Sequence, residues 1–76
     1  MRLNHFHRLI LEFVRVAGEA GRTDDEITLG LYLHPDAARP RRYELVTAGL
    51  VVNSGTRRKG VSGRSGIVWT AAKEAE

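Results

Sequence analysis

The sequence predicts an α+β fold in which three helices precede a two-stranded β-hairpin. Apolar residues recur at helical spacing through the first part of the chain, and two short runs rich in Val and Ile flank a basic, glycine-rich stretch near its end. The chain has 76 residues, which is enough for one domain with one small core. We therefore expect a single domain over 1–76, with an ordered core over about 3–70 and a loose tail over 71–76.

The first helix is predicted from a stripe of apolar residues near the start of the chain. Their spacing places on one helix face Leu3, Phe6, Leu9, Ile10, Phe13, Val14 and Ala17. Asn4 is a candidate N-cap, and Gly18 and Gly21 end the helix. The residues that fall outside the stripe are His5, Arg8, Glu12 and Arg15.

The second helix is predicted from its N-terminal residues. Thr23 followed three positions later by Glu26 is the pattern of a capping box, and the intervening acids suit the positive end of a helix. The helix is short and continues through Ile27 and Leu31. A two- or three-residue strand just before it, over Gly21–Thr23, could pair with the hairpin.

The third helix is expected from about Pro35 to Ala48, because proline is tolerated in the first turn of a helix. His34 is a turn residue in this interpretation, and Gly49 ends the helix. Pro40 lies about one turn inside the segment and lacks an amide hydrogen. Either the helix begins near Pro40 or its first turn is loosened, and the sequence leaves both open.

The hairpin is predicted from the β-favouring runs Leu50–Ser54 and Ile67–Thr70. Between them, the stretch Gly55–Gly66 holds four basic residues, four glycines and no acid. Such a composition is typical of a solvated, disordered segment. Because strands flank it, we interpret it instead as an ordered loop that projects a positive charge.

The charge of the chain is polarised along the sequence. The formal net charge is +3, yet the segment from Arg39 to Arg64 carries seven basic residues against the single acid Glu44. The preceding segment, Met1–Ala38, carries four basic and six acidic residues. Ten of the twelve cations are Arg, which forks onto phosphates and base edges, although GC-rich coding would also enrich Arg. This asymmetry is typical of a protein that binds a polyanion.

Several classes of function find no support in the sequence. The absence of Cys removes disulfides and thiolate metal sites, and no apolar run is long enough for a membrane span. The start of the chain keeps charged residues in an amphipathic pattern, so it is not a secretory signal. His5 and His7 diverge on a helix and cannot easily share a metal. No nucleophile elbow or phosphate loop is present, so we expect neither an enzyme nor a cofactor.

Three segments together carry a resemblance to a protein family. They are Thr23–Ile27, Arg39–Val51, and the basic glycine-rich loop closed by Ile67–Trp69. In this combination the chain resembles small prokaryotic or phage winged helix-turn-helix DNA-binding proteins over roughly Leu3–Thr70. The most specific part is ELVTAGLVV, Glu44–Val52, where the recognition helix ends and the first strand of the wing begins.

The resemblance implies a function and a location. It implies binding of double-stranded DNA, with the third helix in the major groove and the basic loop as a wing on the backbone or in the minor groove. Such a protein would serve as a transcriptional regulator or as a phage or plasmid accessory protein, in the cytoplasm with the nucleoid or in the cytoplasm of a phage host. No membrane, small-molecule substrate or cofactor is implied. A homodimer or a partner protein is left open.

Candidate DNA contacts on the third helix follow from its helical spacing. Arg41 is placed best to approach a base edge, and Arg39 and Tyr43 are expected to contact phosphate. On the opposite side of this helix, Leu45 is expected to be buried against Ile27 and the first helix. Arg42 lies among these apolar positions, so we expect a packed stem and an ion pair with an acid of the second helix. The rest of the exposed side offers few side chains that read bases, so the sequence predicts thin specificity through this helix alone.

The loop is therefore expected to supply much of the affinity. We predict that the cations and hydroxyl groups of the loop contact phosphate. They are Thr56, Arg57, Arg58, Lys59, Ser62, Arg64 and Ser65.

Two other functions stay open at this point. A winged-helix module that binds another protein would use the acids of the second helix as a contrasting face, and RNA would satisfy the same positive charge. The fold alone does not decide among these functions.

Overall fold

The computed structural model describes residues 1–73. Its elements in chain order are α1 (His5–Val16), α2 (Asp24–Leu31), α3 (Pro35–Thr47), β1 (Val51–Lys59) and β2 (Ser65–Ala71). A single 3₁₀ turn over Gly18–Ala20 links α1 to α2 in this part of the chain. The predicted fold class is confirmed, since the α-helices are followed by a two-stranded antiparallel hairpin.

α1 is capped as predicted, but the face that it buries is rotated from the predicted stripe. The side chain of Asn4 accepts from the amide of His7 at 3.0 Å, and the amide of Asn4 donates back to Nδ1 of His7 at 3.0 Å. Phe6, assigned to the stripe, is 40% exposed. The buried residues of α1 are His7, Ile10, Leu11 and Val14. The difference arises because His7 forms a polar contact with α3 that a pattern of apolar residues does not reveal.

The predicted starts of α2 and α3 are both confirmed. Thr23 and Glu26 form the capping box of α2. α3 begins at Pro35 and is capped by His34. The Nδ1 atom of His34 accepts a hydrogen bond from the backbone amide of Asp36 at 3.1 Å. Pro40 lies within α3, so the helix begins one turn before it and passes through it on an exposed position. This resolves the alternative that the sequence left open.

The core lies where α1, α2 and α3 meet the base of the hairpin. The residues buried there include Ile10, Val14, Ile27, Leu45 and Val51, none more than 1% exposed. Burial of Leu45 beside Ile27 was predicted from the third helix and is confirmed. These side chains fix the position of α3, so the opposite face of α3 is the one that meets solvent.

The segment before α2 also joins the hairpin, as predicted. Arg22 and Trp69 form an isolated antiparallel bridge, with amide-to-carbonyl distances of 2.8 Å in both directions. The side chain of Trp69 is buried rather than exposed as a stacking surface. The bridge holds β2 against the connection between α1 and α2.

The strands of the hairpin are longer than predicted. β1 continues through Lys59 and β2 begins at Ser65, so much of the expected loop is paired. Asn53 pairs with Trp69, and Arg57 pairs with Ile67. The chain therefore advances four residues along β1 but only two along β2 between these pairs, which places a bulge in β1. Gly55, with φ of 87°, supplies the left-handed backbone within it. The projecting turn is reduced to residues 60–64.

The pairing at the end of β2 extends slightly past the expected ordered core. Ala71 belongs to β2, and the amide of Ala72 donates to the carbonyl of Leu50 at 2.9 Å. The paired part of the chain therefore reaches one or two residues past the expected bound of about 70. Positions 74–76 of the predicted tail lie outside the described residues.

Candidate nucleic-acid interface

The face of α3 opposite the core is exposed along its whole length. Ala38 and Leu45 point into the core, and the residues of the opposite stripe are exposed. That stripe comprises Asp36, Arg39, Pro40, Tyr43 and Thr47. It contains one cation, Arg39, for which residues 1–73 provide no ion-pair partner. The face can therefore approach a surface, but it presents few groups that hydrogen-bond to bases.

The side chains of Arg41 and Arg42 do not belong to this exposed stripe and contact partners within the molecule. Nε of Arg41 lies 2.7 Å from Oε1 of Glu44, one turn along the same helix. Arg42 donates to both carboxylate oxygens of Asp24 at 2.8 Å, and its guanidinium lies over the ring of Trp69. The predicted packed stem and acidic partner of Arg42 are thus confirmed. Sequence reasoning did not identify the partner of Arg41.

His7 is the residue of this region that sequence reasoning missed. Its Nε2 lies 2.7 Å from Oε1 of Glu44, and its Nδ1 accepts from the amide of Asn4. Since Nδ1 is the acceptor, Nε2 carries the hydrogen that is donated to Glu44. The one feature of the sequence that could have identified His7 is its place three residues after the N-cap Asn4. In a capping box, the residue at that spacing hydrogen-bonds back to the N-cap residue. His7 thereby links α1 to the Glu44–Arg41 pair.

The hairpin cations differ in what holds them. Arg57 donates to Oγ and to the carbonyl of Ser65, both at 3.1 Å, which fixes the side chain without neutralising its charge. Arg58 instead pairs with Glu26 at 2.7 Å and donates to the carbonyls of Ala20 and Gly21. Arg58, predicted as a DNA contact, therefore ties the hairpin to the start of α2.

The Glu26–Arg58 pair also alters the titration of both groups. Hydrogen bonds from the Arg58 guanidinium hold the pKa of Glu26 below its usual value of 4.5, and the capping bond from Thr23 acts in the same direction. The Glu26 carboxylate in turn raises the pKa of Arg58. The pair is therefore fully ionised at neutral pH, and its two charges offset each other.

The hairpin turn folds back onto α2. Oγ of Ser62 donates to Oδ2 of Asp25 at 3.0 Å. Gly60 packs so closely against the same carboxylate that a β-carbon at this position would overlap it. The turn, predicted to be part of an ordered projection, is held at one point by the first turn of α2.

These contacts enclose a cleft of about 290 Å³ between the start of α2, α3 and the hairpin. Six of the predicted site residues line this cleft, namely Arg39, Arg57, Arg58, Ser62, Arg64 and Ser65. Four do not line it, namely Arg41, Tyr43, Thr56 and Lys59. Asp24, Asp25 and Arg42 complete its charged lining, which sequence reasoning did not assign to a shared site. The structure thus brings the third helix and the basic loop to one concave surface.

The class of protein defined by this fold is an α+β domain whose order of helices and hairpin is compatible with a winged-helix arrangement. Comparisons with protein-family models, curated proteins and solved structures found no match for the chain. Within residues 1–73, no helix has the length and apolar character needed to cross a membrane. The same part of the chain contains no group of three or more His, Asp or Glu side chains that could hold a metal ion.

Proposed function

We propose that this protein binds double-stranded DNA through the exposed face of α3 and the hairpin, as a transcriptional regulator or a DNA-binding accessory protein. The observation that carries the proposal is the placement of cations without an acidic partner among residues 1–73. Arg39 lies on α3, and Arg57, Lys59 and Arg64 lie on the hairpin beside it. Each could neutralise a backbone phosphate and release its counterion, a major source of nucleic-acid affinity.

The shape of the surface favours duplex DNA. An α-helix fits the major groove of B-DNA, and α3 is exposed on the side away from the core. The hairpin stands beside it, where the neighbouring phosphate backbone would pass. With one cation on the exposed stripe of α3, backbone contacts would dominate over base contacts.

The protein-interaction alternative loses the feature that favoured it. Its basis was the acidic first turn of α2, which the sequence presented as a separate face. Asp24 contacts Arg42, Asp25 accepts from Ser62, and Glu26 pairs with Arg58. These acids are therefore engaged with the DNA-facing elements themselves, and the observations favour DNA.

The proposal is tested by the salt dependence of binding to a labelled duplex, measured by fluorescence anisotropy. We expect the variant with Arg57, Lys59 and Arg64 changed to Ala to bind more weakly and with a flatter salt slope, by about 0.9 for each phosphate that the variant no longer neutralises. Arg58 is left unchanged because its replacement would disturb the fold through Glu26.

A matched control removes the same charge elsewhere. Arg2, Arg8 and Lys73 are exposed and do not line the cleft. Their triple Ala variant should retain the slope of the native protein. Equal losses in the two variants would mean that binding follows net charge alone, and no binding by the native protein at low salt would refute the proposed function.

A further inference from the structure

We propose that the cleft seats one phosphate group of a DNA strand, held jointly by Arg39, Arg57 and Arg64. This proposal rests on the proposed DNA binding and adds to it a shared site with a defined occupant. Arg39 approaches from α3, whereas Arg57 and Arg64 come from the two sides of the hairpin turn. All three side chains line one cleft, and an oxyanion is the ligand that guanidinium groups recognise, because their planar forks match its oxygen atoms.

The remaining charges of the cleft are already compensated or engaged. Arg42 is paired with Asp24, and both line the cleft. Arg58 also lines the cleft, and its partner Glu26 lies just outside it. Asp25 accepts the hydroxyl of Ser62 and is the one lining acid without a cationic partner in the described chain. Three guanidinium groups without an acidic partner in the described chain, against one carboxylate, leave a positive site for a single anion.

The site is formed before any ligand arrives. Consecutive residues of α2 anchor both walls, because Asp24 holds α3 whereas Asp25 and Glu26 hold the hairpin. Arg57 is itself oriented by its two bonds to Ser65. Little ordering of the walls is then required on binding, so more of the interaction energy appears as affinity.

The position of the cleft favours a phosphodiester over other anions. If α3 lies in the major groove and the hairpin follows the adjacent groove, the strand that separates the two grooves must pass between α3 and the hairpin. The cleft lies at that place, and its volume of about 290 Å³ is ample for a phosphodiester group. A free phosphate ion shares this chemistry, so the experiment must separate the two sources.

The first test uses double-mutant cycles of DNA affinity with Arg39→Ala, Arg57→Ala and Arg64→Ala. Residues that hold the same phosphate should be coupled, so each double variant should lose less affinity than the product of the single losses. The triple variant should lower the salt slope by about 0.9, the value for one phosphate, rather than by about 2.7 for three. Lys59→Ala, outside the cleft, should combine with Arg39→Ala multiplicatively.

A second test uses a duplex that has been selected for binding to the native protein. Its phosphates are replaced one at a time by uncharged methylphosphonates. One position should weaken the native protein, and at that position Arg39→Ala and Arg64→Ala should cause no further loss. Each variant should keep the melting temperature of the native protein, because none of these arginines is in an intramolecular ion pair within residues 1–73.

The outcomes distinguish the two proposals. Absence of binding to any duplex would refute the proposed function. Binding with multiplicative losses and a slope change near 2.7 would leave DNA binding intact and refute the shared phosphate. A titration with inorganic phosphate, followed by the NMR signals of the three Arg Nε–H groups, tests the other source. If phosphate shifts these signals and DNA does not, the cleft is a free-anion site and the shared DNA phosphate is wrong.

Discussion

The guanidinium of Arg42, in the middle of α3, donates two parallel hydrogen bonds of 2.8 Å to the carboxylate of Asp24 in the first turn of α2. The same guanidinium lies 4.2 Å from the ring centroid of Trp69 on β2. One side chain therefore connects α2 and α3 to the hairpin. Although Arg42 lines the cleft, only 15% of its side chain is exposed and its charge is paired with Asp24, so its main role is to stabilise the fold.

Removal of Arg42 should destabilise the protein more than it affects DNA contacts. We expect Arg42→Ala to lower the free energy of unfolding by about 2–3 kcal/mol, because it removes both the ion pair and the cation–π interaction. Urea unfolding measures this change, and Arg42→Lys should recover part of it. Arg41→Ala is the control and should cost at most about 1 kcal/mol, because the Arg41–Glu44 pair is more exposed. Equal costs for the two variants would contradict this interpretation.

The Glu26–Arg58 pair should make stability depend on acid pH. Because the pKa of Glu26 is lowered in the folded state, its contribution is complete above the unfolded pKa and is lost as the pH falls through the folded value. Glu26→Gln keeps a residue suited to the capping box but removes the charge. We expect this variant to be less stable at neutral pH by up to about 1 kcal/mol, a difference that vanishes in acid. Urea unfolding across this range checks it, and a difference independent of pH would exclude the ion pair as the cause.

Truncation of Leu45 should disrupt the core that positions α3. Leu45 is fully buried, so Leu45→Ala should cost about 2–5 kcal/mol of unfolding free energy. Leu29→Ala is the matched control, because Leu29 is 58% exposed, and it should change stability by less than about 0.5 kcal/mol. Thermal unfolding of the two variants provides the comparison. A small effect at Leu45 would indicate that α3 packs differently.

Neutralisation of Asp25 should strengthen DNA binding. Asn keeps an oxygen that can accept the Ser62 hydroxyl, so Asp25→Asn removes a negative charge from the cleft while preserving the hydrogen bond. A gain of up to about 1 kcal/mol, or about fivefold in affinity, is expected at low salt. Glu19→Gln makes the same change of charge outside the cleft and should have a smaller effect. Weaker binding by Asp25→Asn alone would oppose the placement of DNA in the cleft.

Arg41 tests whether α3 reads bases. The sequence placed Arg41 nearest to a base edge, whereas in the fold its charge is paired with Glu44. We expect Arg41→Ala to weaken binding by the same small factor for two duplexes at fixed salt, one obtained by selection for binding to the native protein and one with a scrambled sequence. If Arg41 leaves Glu44 to contact guanine, the variant will instead lose about 1–3 kcal/mol of discrimination between the two duplexes.

Features set by local chemistry were predictable from the sequence. The capping box of Thr23 and Glu26, the cap at Asn4 and the end of α3 before Gly49 each depend on residues a few positions apart. Leu45 was assigned to the core because its helical spacing determined its side of α3. Local rules were sufficient for these caps and for the core side of α3, but the Arg41–Glu44 pair within α3 was not predicted.

Most of the pairs formed by distant residues were not predictable, although the acidic partner of Arg42 was an exception. His7 and Glu44 are 37 positions apart, and Arg58 and Glu26 are 32 apart, so no local pattern pairs them. The outer part of β1 resembled a loop because most of its residues are exposed, which removes the alternation that identifies a half-buried strand. Folding onto α2 determined which cations stay free, whereas in the sequence alone the loop cations were equal candidates.

The bulge at Gly55 also limits how a strand from another molecule could pair with the hairpin. In the two-stranded sheet, β2 is bridged at Trp69 by Arg22, whereas β1 forms the other edge. A regular edge strand would offer its free amides and carbonyls to a strand from another molecule. The bulge interrupts that edge, and three consecutive cations, Arg57–Lys59, follow it. Concentrated solutions should therefore resist growth of sheets between molecules, even though the hairpin extends beyond the core.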